Sequence, residues 1–239
     1  MSKEKLIVAL DVADAAEARN IVAELGDAVG AFKIGLRLFT ACGPSLVKEL
    51  VDLGHKVFLD LKFHDIPNTV AGAAVEAARL GVWMFNVHTL GGGEMMRRTV
   101  DEVAAVAARD GFARPMIIGV TVLTSLSQTT LSEVGVEKDV SDEVLTLAQL
   151  ASKYGLDGVV ASALECRTIR ESGIRKDFVI VTPGIRIITA TNDDQKRVMT
   201  PGAALANGSD YVVVGRPILD APNRRAAVQE ILKDMAAAD

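Results

Sequence analysis

Eight short apolar runs recur along the chain: LIVAL (6–10), AFKIG (31–35), KVFLDLK (56–62), WMFNVH (83–88), MIIGVTVL (116–123), DGVVAS (157–162), FVIVTP (178–183) and YVVVG (211–215). Each reads as a core strand. Between them, apolar residues return at helical spacing. Ala18, Ile21, Val22 and Leu25 form one stripe; Val70, Ala73, Ala74 and Ala77 form the next. Val100, Val103 and Ala107 continue the series, followed by Val144, Leu147, Ala148 and Ala151, and finally Val228, Ile231, Leu232 and Met235. Gly26, Gly54, Gly81, Gly111, Gly155, Gly173 and Gly208 each stand where a helix gives way to the next strand, which suits a left-handed residue. Pro44 suits the first turn of a helix, and Ser141 with Asp142 and Glu143 suits a helix start. Strand–helix alternation of this number predicts an α/β fold, a (β/α)8 TIM barrel, as a single domain spanning residues 1–239. A doubly wound open sheet is the other candidate. It usually has fewer strands, and Gly91-Gly92-Gly93 is not the G-x-G-x-x-G loop of a dinucleotide site.

Composition sharpens this picture. Hydrophobic residues make up 49% of the 239 positions and aromatics only 4%. The core must therefore be built from Ala, Val, Ile and Leu, as in parallel strands buried on both faces. A net charge of −5 gives no general basic surface, so nucleic acid is not expected as the main partner. No apolar run approaches the roughly 20 residues of a membrane helix, and no secretory leader is read at the start. Cys42 and Cys166 are isolated and form no C-x-x-C pair. They read as buried, reduced thiols of a cytoplasmic protein.

Candidate chemistry concentrates at strand ends. In VFLDLKFHDIPNT, the residues Asp60, Lys62, His64 and Asp65 crowd the end of one apolar run. Side chains two apart on a strand share a face, so Asp60 and Lys62 point the same way. Charge this dense beside a core is costly to desolvate. Asp11 closes the first strand, Lys33 lies in the second, and His88 ends the fourth. One such residue alone would read as a solvated loop charge; successive strands delivering charge to one rim read as an Asp/Lys array. His64 and His88 are read as packing residues with satisfied hydrogen bonds, and His55 as surface. Opposite the array, strand seven runs into Thr182-Pro183-Gly184-Ile185-Arg186 and strand eight into Gly215-Arg216-Pro217. Glycines that admit backbone to phosphate, with two forked cations, suggest an anion site in the place where barrels often hold phosphate. Two stretches, 125–140 and 185–198, are longer than a barrel loop needs and read as lids. The expected ligand is a small phosphorylated molecule.

DLKFHDIPNTV, with LIVALD, FKIG, TPGIR, DDQKR and VVVGRP in order, closely resembles the orotidine 5'-monophosphate decarboxylase family across essentially the whole chain. The resemblance implies a barrel that dimerises through its active-site face and uses neither metal nor organic cofactor. It implies Lys62 as proton donor to C6, Asp60 beside the substrate carboxylate, Lys33 linking Asp60 to the ribose region, and Asp11 on the ribose hydroxyls. It implies that Asp65, with Ile66 and Thr69 nearby, serves the neighbouring subunit's site. Thr124 and Ser125 would meet the pyrimidine edge. Pro183 would line the site, and Arg186, Gln195, Gly215 and Arg216 would hold the phosphate. The chain departs from the family pattern at Ile187-Ile188-Thr189, after the arginine of GIR. Two other readings stay open at this point. A metal-dependent phosphosugar lyase shares the D-x-K-x-x-D run and would lose activity in EDTA. A non-catalytic phosphate-ligand sensor would bind nucleotide and need no proton donor at Lys62.

Overall fold

The computed structural model describes residues 2–185 and 199–238. Its strands are β1 (Leu6–Ala9), β2 (Ala31–Gly35), β3 (Val57–Phe63), β4 (Met84–His88), β5 (Met116–Val120), β6 (Gly158–Val160), β7 (Val179–Thr182) and β8 (Tyr211–Val214). They close into a parallel barrel in chain order, with Ile7 set against Ala31 on one side of β1 and Val213 on the other. The helices are α1 (Ala15–Leu25), α2 (Leu36–Cys42), α3 (Pro44–Asp52), α4 (Pro67–Arg79), α5 (Gly92–Asp110), α6 (Gln128–Glu133), α7 (Val140–Lys153), α8 (Cys166–Glu171), α9 (Pro201–Ala206), α10 (Arg216–Leu219) and α11 (Arg224–Ala236).

Two-sided burial explains why the strand runs are apolar throughout. On β1, Leu6 and Val8 pack with helix residues such as Ile21 and Leu25. Ile7 and Ala9 turn inward to meet Phe58, Met84, Ile118, Val181 and Val213. The same two-residue alternation carries the chemistry. Inward positions extend from Ala9 to Asp11, from Ala31 to Lys33, and from Phe58 to Asp60. The sequence therefore fills the barrel interior with apolar side chains below and ionisable ones at the C-terminal rim.

Six of the seven helix-to-strand glycines have positive φ, from 74° at Gly111 to 106° at Gly208. Gly26 does not: its φ is −57°, within the right-handed helical region. What fixes glycine there is space, since a Cβ would lie 2.7 Å from His55 Cε1. His55, expected at the surface, is half-buried, with its ring edge-on to Phe32 at 5.5 Å. Helix α7 starts at Val140, one residue before Ser141. Its first N–H is met by Gln128 Oε1 at 3.0 Å, while Gln128 Nε2 donates to the Lys138 carbonyl at 3.0 Å. The stretch 125–140 is thus a built segment containing α6, with Leu131 buried beneath it. Cys166 is buried as expected, whereas Cys42 is only half-buried.

Candidate active site

At the rim of β1, β2 and β3, Asp60 occupies the centre of a set of paired charges and is 8% exposed. Lys62 Nζ lies 2.6 Å from Asp60 Oδ1, and Lys33 Nζ lies 3.1 Å from Asp60 Oδ2. Lys33 also reaches Asp11 Oδ1 at 3.3 Å, and Asp11 stands more open at the mouth. Asn86, on β4, donates from Nδ2 to Asp60 Oδ1 at 2.7 Å. Burial pushes the Asp60 carboxyl up, but the two ammonium groups and the hydrogen bonds from Lys62 and Asn86 outweigh burial and hold it below the usual carboxylate range. The arrangement keeps a charged carboxylate in a partly dry site, with both its oxygens engaged.

Space for the Lys33 ammonium comes from Gly35, which pairs with Asp60 across the β2–β3 ladder. A Cβ at that position would approach Lys33 Nζ to 3.0 Å and Asp11 Oδ1 to 3.6 Å. Lys62 itself has φ 53°, the sole non-glycine with positive φ among the described residues. Such a conformation is rare for a side-chain-bearing residue and needs support from its surroundings.

The array faces a cleft with two lobes. The outer lobe, about 720 Å³, is walled by Asp11, Lys33 and Asp60 on one side and by Gly184, Gly215 and Arg216 on the other. The inner lobe, about 170 Å³, is narrower and reaches Lys62, Val122, Leu123 and Thr124. Lys33, Asp60, Pro183 and Val213 line both. The size is that of a pocket for one small organic ligand. A charged tail would sit at the glycine and arginine loops, with the reacting end against Asp60 and Lys62.

The structure gathers many of the expected residues into this cleft and leaves others outside it. Asp11, Lys33, Asp60, Lys62, Thr124, Pro183, Gly215 and Arg216 line it. Ser125 is exposed just beyond Thr124 and lines neither lobe. Asp65, Ile66 and Thr69 are exposed where β3 turns into α4, and none of them lines the cleft of their own chain. Asp65 Oδ1 accepts the Ile66 N–H at 2.6 Å. Arg186 and Gln195 lie outside the described residues. The His64 and His88 rings pack 5.2 Å apart, as expected, but the buried His88 Nδ1 meets no hydrogen-bond partner among the described residues. Burial, then the neighbouring His64 and Lys62, holds His88 below the ordinary histidine range, against a smaller upward pull from Asp60. Asn86 escaped the sequence reading. Its signal was a lone amide in the apolar run WMFNVH.

The fold and this rim together define a (β/α)8-barrel enzyme that works at the C-terminal ends of its strands. More narrowly, the chain belongs to the Orotidine 5'-phosphate decarboxylase / HUMPS family, whose pattern matches residues 4–231. It is 53% identical over 237 residues to the orotidine 5'-phosphate decarboxylase of Syntrophotalea carbinolica, covering 99% of this chain and 97% of that protein. The protein of the same name from Geobacter metallireducens is 52% identical over 236 residues, with 99% and 98% covered. Among solved structures, orotidine 5'-phosphate decarboxylase from Lactobacillus acidophilus superimposes with a TM-score of 0.84 at 39% identity, covering 96% of this chain and 98% of that one.

Proposed function

We propose that this chain, acting as one catalytic domain, converts orotidine 5'-monophosphate to uridine 5'-monophosphate in the cytoplasm, as a step of de novo pyrimidine synthesis, with no metal or organic cofactor. The observation that carries the reading is the buried Asp60 carboxylate held between Lys33 and Lys62 at the inner end of a nucleotide-sized cleft. The bond from C6 to the carboxylate breaks, CO2 leaves, and the electron pair stays on C6. That pair lies in the ring plane, where the ring does not delocalise it. Fixed positive charge must supply the stabilisation. Lys62 supplies it, then passes a proton from Nζ to C6, and is recharged from solvent after product leaves.

Lys62 does not suffice alone. A general acid gives roughly 10²–10⁴-fold, about 3–5 kcal/mol, whereas enzymes lower barriers by roughly 8–23 kcal/mol. Preorganised charge and binding energy from the remote phosphate make up the difference. Asp60 stands beside the substrate carboxylate, Lys33 and Asp11 meet the ribose, and Thr124 and Ser125 meet the pyrimidine edge. Arg186, Gln195, Gly215 and Arg216 hold the phosphate. Arg216→Ala is therefore expected to raise KM for orotidine 5'-monophosphate by about 10- to 100-fold, the scale of one charge-assisted contact, with a much smaller change in kcat; steady-state kinetics check this.

The active form is a homodimer in which Asp65, Ile66 and Thr69 of one subunit complete the site of the other. Exposed apolar side chains support a covered face here: Leu36 after β2, Ile66 after β3 and Leu90 after β4 are 57%, 66% and 53% exposed. The metal-dependent phosphosugar reading is weaker, because a divalent cation would have to displace two ammonium groups from Asp60. The deciding experiment is an ultraviolet assay of EDTA-treated protein with orotidine 5'-monophosphate. Rapid conversion to uridine 5'-monophosphate is expected. No conversion by folded, dimeric protein, with activity on a phosphosugar in Mg²⁺, would overturn the proposal.

A further inference from the structure

We infer that Asn86 is a positioning residue, which uses the two ends of one side-chain amide to fix the Asp60 carboxylate and the turned backbone of Lys62. The inference rests on the decarboxylase reading of those two residues.

The strand register places Asn86 where it must serve this purpose. Leu59 pairs with Phe85 and Phe63 pairs with Val87, so Asp60, Leu61 and Lys62 of β3 all stand against the single residue Asn86 of β4. A bulge of this kind breaks the backbone ladder and re-aims side chains. Its unpaired groups need other partners. Asn86 is 1% exposed and lies at the gap. Its Oδ1 accepts the Lys62 backbone N–H at 2.8 Å, and its Nδ2 donates to Asp60 Oδ1 at 2.7 Å.

The chemistry fixes the orientation of the amide. A backbone N–H can only donate and an ionised carboxylate can only accept. The oxygen must face Lys62 and the nitrogen must face Asp60; the flipped amide would lose both bonds. One side chain thus ties the strained φ of 53° at Lys62 to the carboxylate that its own ammonium pairs with. Asparagine alone offers a donor and an acceptor at this length. Aspartate would keep the acceptor but set a second carboxylate against Asp60. Leucine would keep the shape and lose both bonds.

The titratable groups round Asp60 are Lys33 from β2, Lys62 from its own strand, Asp11 behind Lys33, and His88 two residues along β4. None of them replaces the Nδ2 donor, because the lysines are already in contact. Removing that donor makes Asp60 easier to protonate, and so moves the acid limb of the kcat profile upward.

The test compares wild type, Asn86→Leu and Asn86→Asp with orotidine 5'-monophosphate across pH, together with the ¹³C titration of the Asp60 carboxyl in ligand-free protein. In both variants kcat is expected to fall by about 10- to 100-fold, the scale of a lost hydrogen bond to a charged group. KM should change little, because the phosphate grip is distant. The acid limb and the Asp60 titration should both move to higher pH. A merely structural amide would lower the melting temperature and leave both where they are. Wild-type kcat and an unmoved acid limb in either folded variant would overturn the inference. If Asn86→Leu fails to fold, the isosteric Asn86→Asp carries the test. If wild type itself turns over no substrate, the functional reading fails, and the Asp60 titration alone decides the role of Asn86: an upward move upholds it, and no move overturns it.

Discussion

Lys62→Ala is expected to lower kcat for orotidine 5'-monophosphate by at least about 10⁴-fold while leaving a folded barrel. Two losses combine. The proposed proton donor disappears, at roughly 10²–10⁴-fold. The fixed charge facing the developing electron pair disappears with it, and removal of a single preorganised donor costs roughly 10²–10³-fold elsewhere. The fold should tolerate the change. The Lys62 side chain is 29% exposed and stands at the rim beyond the apolar interior, so truncation opens no core cavity. Asp60 keeps Lys33 and Asn86 as partners and is not orphaned. Alanine bears the φ of 53° no worse than lysine, since both carry a Cβ. The ultraviolet assay reads kcat, and thermal unfolding by circular dichroism reads the fold. Near-normal turnover by the variant would sink the assigned role.

The second large effect concerns two subunits. Asp65→Ala is expected to be almost as inactive as Lys62→Ala, although Asp65 lines no part of the cleft in its own chain. Mixing the two inactive dimers and allowing exchange should restore activity. Half of the random dimers are then mixed, and each mixed dimer holds one intact site, so about a quarter of wild-type activity returns. If Asp65 instead served its own chain, mixing would restore nothing. Dissociation on dilution gives the companion measurement: specific activity should fall along with the dimer fraction.

How much of this was legible in the sequence differs from element to element. Strand β2 matches its expected span of 31–35, because AFKIG is bounded by glycines. The fifth run, expected over 116–123, stops as a strand at Val120; the apolar residues beyond it, Val122 and Leu123, line the cleft instead of continuing the ladder. Short helices such as α8 and α10 have too few turns to print a stripe. Asp11, Lys33, Asp60 and Lys62 could be grouped in advance, because strand alternation fixes their side from spacing alone. Asn86 could not. Its importance depends on which residues of β3 lie opposite it, and register is a property of two strands paired in space. Gly26 was misread for a related reason: the need for glycine there comes from a distant ring, His55, and not from its own φ.

The rim is divided between two arcs. Strands β1 to β4 carry the groups that would act on the reacting end, and β7 and β8 carry those that would grip phosphate. The arcs touch at the β8–β1 seam, where a Cβ on Gly215 would come within 3.5 Å of Ala9 Cβ and of Asp11 Oδ2. Across the cleft, Pro183 after β7 and Val213 of β8 face Lys33 and Asp60. A lineage can therefore retool the reaction through a few side chains on β3 and β4 while inheriting the anchor for the ligand's tail unchanged. New chemistry then starts with its substrate already captured, and that head start favours descent with altered catalysis over invention on a fresh scaffold.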